Sequence, residues 1–363
     1  MAKRVSVDGW LFTITLVLVF TGLVMVFSAS AVMAKERYGS GYFFLLRQLG
    51  WAAAGIFAMV VAMKIDYRHY KHPAVVFSLL GFTTLALISV FFLDRAHNTH
   101  RWFHLGPLSF QPSEMAKPAL ILFLAYFLEG RTQSMKDWRN TVLPAAVPTL
   151  VFIGLIVFQP DLGTAIACAA ITVCVLFVAG LDLRYLGYAF VASLLPLYFL
   201  IFHVAYRRAR ILAFLDPYSD PQGRGFHMIQ SLIAVSTGGI TGVGLMEGKQ
   251  KLFYLPEPHT DFIFAVTAEE LGLLGALVIV IFFAIILWRG IRTALRTQDM
   301  FGRFLAVGIT SMIVVQAFIN ISVVLGLMPT KGIPLPLVSY GGSSLLATLI
   351  CVGVLLNISK QAD

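Results

Sequence analysis

Asp261 closes the polar stretch Leu255-Pro256-Glu257-Pro258-His259-Thr260 and opens the apolar run Phe262-Ile263-Phe264-Ala265-Val266. Two more acids, Glu269 and Glu270, follow inside that run. An acidic side chain at or within a lipid-facing segment is costly unless it lines a polar cavity or finds a partner, so each marks a functional position by default. A carboxylate at the mouth of a membrane helix can take a proton from a substrate that arrives through the bilayer. Cations gather in the same regions: Arg101, Lys117, Arg207, Arg208, Arg210, Lys249, Lys251 and Lys331. That set suits an anionic ligand such as a phosphate or pyrophosphate lipid. Solvated loop charges meeting lipid headgroups are the competing explanation, and the loop residues alone do not separate the two.

Lys117 is harder to assign to a loop, because it sits inside an apolar segment three residues after Glu114. Residues at i and i+3 share a helix face. The pair either serves geometry as a buried ion pair, or presents Lys117 to a phosphate with Glu114 orienting it. Asp161, after Gln159-Pro160, has the place of an N-cap for Leu162-Gly163-Thr164-Ala165. His97, His100 and His104 cluster with Arg101-Trp102, but their spacing fits no metal geometry, and interfacial histidines beside a headgroup-level tryptophan are the better account. Near the C-terminus, Pro329-Thr330-Lys331-Gly332-Ile333-Pro334-Leu335-Pro336 leads into Ser339-Tyr340-Gly341-Gly342-Ser343-Ser344. Its small residues either expose N–H groups and hydroxyls to an anion or allow close helix packing in lipid.

The elements that must position these residues are membrane helices. The chain has 363 residues, of which 58% are hydrophobic and 12% charged. Soluble domains carry about 25% charged residues, so this composition excludes them. The apolar blocks have the length of helical spans, and the weak ten-residue alternation of an outer-membrane barrel is absent. The expected fold is an all-α polytopic membrane protein, one domain over residues 1–363. Its ten spans are Trp10–Val32, Leu46–Met63, Ala74–Leu93, Ser113–Leu128, Val142–Phe158, Leu162–Ala179, Tyr185–His203, Phe262–Trp288, Phe304–Leu327 and Leu337–Ile358. The first run ends in Ser28-Ala29-Ser30, which has the look of a cleavage site, yet it is too long for a signal h-region and reads as a retained helix. Lys and Arg concentrate in loops such as Lys64–Lys71, Arg131–Arg139 and Arg289–Arg303, which with Lys3-Arg4 and Lys360 puts both termini in the cytoplasm. The large extracytoplasmic loop, residues 204–261, then lies between the seventh and eighth spans. Within it, residues 225–233 have helix-like spacing suited to an interfacial amphipathic helix, and Gly238-Gly239, Gly242, Gly244 and Gly248 give a flexible backbone capable of close approach. Cys168, Cys174 and Cys351 lie in apolar runs and read as core residues, not as disulfides or metal ligands.

Several stretches, in this order along nearly the whole chain, resemble the SEDS family (shape, elongation, division and sporulation). They are Arg101-Trp102 with Gly106, Gln111-Pro112-Ser113-Glu114-Met115-Ala116-Lys117, Gln159-Pro160-Asp161-Leu162-Gly163-Thr164, Tyr206-Arg207-Arg208-Ala209-Arg210, Leu255 through Phe264, and Pro329 through Ser344. Lys251 and Lys331 are more similar to the division-type FtsW branch or its sporulation relative than to elongation-type RodA. The resemblance implies a peptidoglycan glycosyltransferase of the bacterial inner membrane that polymerises lipid II at the outer face. It puts the essential aspartate at Asp261 and implies a class B penicillin-binding protein as partner, alongside other division-complex membrane proteins and no nucleic acid. Arg101, Trp102, Glu114, Lys117, Arg208, Arg210, Lys251, His259, Lys331, Ser339 and Ser343 are then the candidate substrate-binding residues.

In that chemistry the GlcNAc 4-hydroxyl of one lipid-linked disaccharide attacks C1 of MurNAc on another. Undecaprenyl pyrophosphate leaves, and cations can stabilise it without protonation. One carboxylate base then suffices where inverting glycosyl transfer otherwise uses an acid as well. Desolvation would raise the Asp261 pKa from about 3.9, while nearby cations and a helix N-terminus would lower it. No resident cofactor is required, although a divalent cation, Mg²⁺ or Mn²⁺, could bridge Asp261 or Glu114 to the pyrophosphate. Two rival functions remain at this stage. A lipid II flippase would want a polar path near the midplane, for which Glu269 and Glu270 are the deepest groups; a recruiting scaffold would leave Asp261 unexplained.

Overall fold

The computed structural model describes residues 7–93, 101–105, 108–132, 135, 137–252 and 254–362. His97 and His100 lie outside them, as do Lys3, Arg4, Gly106 and Lys136. Each expected span corresponds to a helix: α1 (Gly9–Tyr38), α2 (Phe43–Lys64), α3 (Pro73–Leu93), α4 (Pro112–Glu129), α5 (Leu143–Phe158), α6 (Leu162–Val178), α7 (Leu183–Phe202), α10 (Ile263–Arg296), α11 (Met300–Val324) and α12 (Gly342–Gln361). Two shorter helices, α8 (Ala205–Leu215) and α9 (Phe226–Thr237), fall in the long loop. Among the described residues, eight helices are long and apolar enough to cross a membrane by length and composition. Of the remaining two expected spans, α6 is a shorter apolar helix and α4 carries the buried pair Glu114 and Lys117.

Local chemistry starts these helices where the sequence places the caps. Asp8, Asp161, Asp182 and Asp299 each accept a hydrogen bond from a backbone N–H in the first turn of the helix that follows, which satisfies one of the orphan donors of a helix start. Pro112 occupies the first turn of α4, where its missing N–H costs nothing. The core lies along α4, α11 and α12; the apolar windows of the last two are 67% and 72% buried. At the other extreme, α7 has no buried residue. The start of α1 and the end of α12 meet on one face of the bundle, where Asp8 accepts from Arg289 at 2.6 Å and Asp8 N–H reaches Ser359 Oγ at 3.5 Å.

Three features depart from the expected layout. A two-stranded antiparallel hairpin, β1 (Phe103–Leu105) with β2 (Leu108–Phe110), pairs Phe103 with Phe110 and leads into α4. The final helix starts five residues later than Leu337, because Leu337–Gly341 are used in a turn that packs on the Asp261 loop. Finally, α9 does not lie free in the interface: Met228, Ile229, Ser231 and Ala234 are buried, and Ser231 Oγ donates to Val324 O at 2.8 Å.

The glycine-rich segment after α9 is the most constrained part of the long loop. Helix α10 is broken at Gly272, whose φ of +66° and ψ of −167° are non-helical. In an unbroken helix Leu273 and Leu274 would donate to the carbonyls of Glu269 and Glu270. Instead those carbonyls accept from Val243 (3.0 Å) and Gly244 (3.1 Å), while Leu273 and Leu274 donate to Gly239 (2.9 Å) and Ile240 (3.2 Å). The loop therefore inserts into the break and replaces the two missing rungs, which a low-dielectric environment requires. A Cβ on Gly242 would stand 2.1 Å from Glu270 O, so only glycine allows the approach. The close-approach part of the sequence reading holds; the hydrogen bonds fix this segment rather than leaving it flexible.

Candidate active site

Asp261 sits two residues before α10, and its backbone is gripped on three sides. Asn320 Nδ2 donates to Asp261 O (2.8 Å) and to Ile333 O (2.7 Å). Ser339 Oγ donates to Thr260 O (2.6 Å), and Tyr340 N–H donates to His259 O (2.9 Å). The carboxylate itself accepts no hydrogen bond among the described residues and is half-buried. Gly332 makes room for it: a Cβ there would approach Asp261 Oδ2 to 2.8 Å. Burial pushes the Asp261 pKa up to about 7, with Glu257 acting in the same direction and Arg210 and Arg101 opposing. Desolvation thus wins the contest that composition left open.

Two cavities meet at this residue. The smaller, about 270 Å³, is lined by Ile166 of α6, Leu197 and Ile201 of α7, Arg207 and Arg210 of α8, and Lys331. The larger, about 550 Å³, is lined by Trp51, Trp102, Glu114, His259, Tyr340 and Ser343, among others. Arg101, Asp161, Asp261 and Gly332 belong to both walls. The smaller cavity combines apolar helix faces with cations. None of Arg207, Arg210 and Lys331 has a carboxylate within ion-pair distance among the described residues. Burial lowers the pKa of all three; the positive neighbour Arg101 adds to this at Arg207, and Arg210 adds to it at Lys331. Desolvated cations without a counter-charge favour an anionic ligand.

The arginines are aimed by backbone carbonyls. Arg207 donates to Leu200 O (3.1 Å) and Val157 O (3.0 Å), and Arg210 to Thr330 O (3.1 Å). Arg101 donates to Gln159 O at 2.7 Å and also to Pro160 O. Asp161 caps α6 as its position suggested, through Thr164 N (3.1 Å) and Oγ1 (2.8 Å), and also receives Gln111 Nε2 at 3.3 Å. His259 is buried between Phe44 (4.5 Å) and Tyr340 (5.4 Å), its Nδ1 makes no hydrogen bond, and burial pushes its pKa down to about 4. It is therefore neutral at physiological pH.

The structure brings Arg101, Trp102, Glu114, Arg210, His259, Lys331 and Ser343 together around Asp261. Four other expected ligands lie elsewhere. Lys117 lines neither cavity; its ammonium is spent on Glu114 (2.9 Å) and Gln316 (2.7 Å), so of the two readings the spacing allowed, the pair is the buried ion pair, with Lys117 holding Glu114. Arg208 is exposed on the far side of α8, because the face toward the cavity carries residues 207, 210 and 211, at i, i+3 and i+4. Lys251 is buried against Glu270 (2.6 Å) and Ser28 (3.0 Å). Ser339 staples the loop, accepting from Leu335 N at 2.8 Å while donating to Thr260 O. Arg207 lines the smaller cavity although it is absent from the candidate substrate-binding residues; applying helical spacing to Tyr206–Ile211 would have found it. The side chain of His104 is outside the described residues.

Glu269 and Glu270 do not form a polar path. Glu269 accepts from Lys249 N–H (2.7 Å) and Gln250 N–H (3.2 Å), and Glu270 accepts from Met246 N–H (3.0 Å), Ser28 Oγ (2.7 Å) and Lys251. Both are sealed, at 1% exposure.

The same arrangement has known counterparts. Residues 9–363 match the family model FTSW_RODA_SPOVE, described as cell cycle protein. A protein named probable peptidoglycan glycosyltransferase FtsW from Geobacter metallireducens is 47% identical over 343 residues, covering 94% of this chain and 91% of its own. Stage V sporulation protein E of Bacillus subtilis is 43% identical over 361 residues, 99% of either chain. Among solved structures, a chain of a peptidoglycan synthase complex that coordinates polymerization and crosslinking superposes with a TM-score of 0.81 at 34% identity, covering 98% of both chains. The rod shape determining protein RodA of Thermus thermophilus gives 0.72 at 30% identity, covering 98% of this chain and 97% of its own. With a matching fold, a family model spanning nearly every residue and relatives at this identity, the chain belongs to the FtsW/RodA/SpoVE family.

Proposed function

We propose that this protein is an inverting peptidoglycan glycosyltransferase that joins lipid II units into glycan strands, with Asp261 as the base. The observation that carries this reading is a carboxylate with no hydrogen bond among the described residues, in the wall shared by two cavities, one of them cationic and apolar. A base works best with a pKa near the operating pH, and Asp261 stands at about 7. The donor's pyrophosphate would lie against Arg207, Arg210, Lys331 and Arg101, with its polyprenyl chain along Leu197, Ile201 and Ile166. The acceptor sugar would enter the larger cavity, where Trp51, Trp102 and Tyr340 offer aromatic faces. Asp261 takes the proton from the attacking 4-hydroxyl, C1 of MurNAc inverts in one displacement, and the cations hold the departing pyrophosphate.

The Lys and Arg bias supports a cytoplasmic position for the end where α1 starts and α12 finishes, and an outward-facing Asp261 in the inner membrane. A class B penicillin-binding protein as partner is supported by the likeness to a chain of a peptidoglycan synthase complex. The FtsW and sporulation relatives favour work at a division or spore septum over elongation. No three His, Cys, Asp or Glu side chains converge as a metal site among the described residues. A Mg²⁺ or Mn²⁺ ion bound by the pyrophosphate would find Asp261 or Glu114 as a hard oxygen ligand from the protein.

The test is incubation of labelled lipid II with the purified protein and its penicillin-binding partner, transpeptidation blocked. Wild type should give glycan ladders whose rate falls as pH drops below about 7, where the base becomes protonated. Asp261→Asn should give none while still binding the partner, and chelator followed by Mg²⁺ or Mn²⁺ reports on the cation. Ladders from Asp261→Asn, or lipid movement without polymer from wild type, would overturn the assignment.

A further inference from the structure

The strap at residues 329–334, between α11 and α12, is held by side chains at three of its carbonyls. Arg210 of α8 donates to Thr330 O (3.1 Å), while α11 supplies Asn320 Nδ2 to Ile333 O (2.7 Å) and Gln316 Nε2 to Pro334 O (3.0 Å). Residues 316 and 320 lie about one turn apart on the same face of α11, and they take two consecutive carbonyls. The strap in turn carries Lys331 into the smaller cavity and sets Gly332 against the Asp261 carboxylate.

Asn320 does more than hold the strap. The same Nδ2 donates to Asp261 O (2.8 Å), so one amide joins the residue that bears the base to the strap that bears a cation for the leaving group. An amide nitrogen has two N–H groups, and both are used here. Rotating the amide would turn its oxygen toward two carbonyls, so these acceptors fix its orientation. Asn320 is buried, at 2% exposure, and lines neither cavity; whatever it contributes to the chemistry passes through Asp261 and the strap. Proton removal and pyrophosphate departure belong to one displacement, which needs the carboxylate and the cations at a set separation.

On the polymerase reading, we propose that Asn320 is a positioning residue for glycosyl transfer: it fixes the Asp261 backbone against the Lys331 strap and so sets the distance between the base and the cations that receive the pyrophosphate.

The test is steady-state polymerisation of labelled lipid II by the full chain with its penicillin-binding partner, paired with hydrogen exchange of the full chain alone. Asn320→Leu should lower kcat about tenfold or more while KM for lipid II stays within about twofold, since a displaced base slows the chemical step without removing a substrate contact. Exchange of the backbone amides of residues 259–265 should rise about threefold or more, because the loop opens locally. Asn320→Asp, of the same shape, carries the test if the leucine variant does not fold; a carboxyl group cannot donate to both carbonyls, so the same split is expected. Asn357→Leu is the matched control. Asn357 is a buried amide that donates to Met63 O (2.9 Å) and accepts from Tyr67 N–H (3.0 Å) at the other end of the bundle. Its loss should lower the unfolding midpoint, leave kcat within about twofold and leave the exchange of residues 259–265 unchanged. An equal fall of kcat in the Asn357 control, a rise in KM with kcat unchanged, or faster exchange with kcat unchanged would overturn the positioning role and leave the polymerase reading standing. Wild type without glycan ladders would overturn both.

Discussion

Asp261 and Glu270 are both acids of the α10 entrance, nine positions apart, and they solve the problem of a desolvated carboxylate in opposite ways. Glu270 is sealed and fully paired, by Lys251 Nζ at 2.6 Å, Ser28 Oγ at 2.7 Å and Met246 N–H at 3.0 Å. Among the described residues, Asp261 is held by its backbone, while its carboxylate has no donor and faces two cavities. Burial of charge alone therefore does not distinguish chemistry from architecture. What distinguishes them is whether the surroundings satisfy the charge or leave it dissatisfied with room beside it.

The comparison can be broken most severely at the sealed acid. Glu270→Gln leaves the Lys251 ammonium buried without its counter-charge, which costs about 3–5 kcal/mol and should appear as a large fall in unfolding midpoint in detergent. Lys251→Met with Glu270→Leu should recover most of it. If Glu270→Gln instead abolished polymerisation in a fully stable protein, the sealed cluster would be catalytic. The contrast sharpens at the basic helix beside Asp261. Arg207→Gln removes a charge-assisted contact to the leaving group, worth about 1.5–3 kcal/mol, and should lower kcat/KM at least tenfold, whereas Arg208→Gln, on the exposed face, should stay within about twofold.

A separate effect concerns stability at Asp261 itself. Its folded pKa, about 7, lies above the ordinary 3.8, so the unfolded chain gives up its proton first and the folded state loses stability as pH rises from about 4 to 7. Asp261→Asn should therefore raise the unfolding midpoint at pH 8, and the gain should vanish near pH 4. An unchanged midpoint at pH 8 would mean the carboxylate is better solvated than its surroundings imply.

Helix positions were legible because hydrophobic length is a local property, and so was the Asp161 cap, whose chemistry is contained in four residues; Asp8, Asp182 and Asp299 cap their helices in the same way. Asp261 was legible for a related reason, a charge at an apolar boundary. The roles of Lys117 and Lys251 were not, since each is decided by a partner distant in sequence: Gln316 for the first, Ser28 for the second. Arg207 and Arg208 differ only in which side of a helix they occupy, and that depends on where α8 rests. The replacement of two helical rungs by Gly239–Gly244 needs two segments in register, so glycine content could announce close approach without saying to what.

That replacement bears on the order in which the protein is assembled. Beyond the break, Leu273–Arg296 rises about 36 Å, enough to cross a hydrocarbon core of about 30 Å unaided. Ile263–Leu271 rises only about 14 Å and leaves the carbonyls of Glu269 and Glu270 dependent on the glycine loop. The long piece can enter the bilayer as an autonomous unit, whereas the short piece must wait for the loop to fold against it. The carboxylate proposed as the base is thus set in place only once the glycine loop has folded against α10.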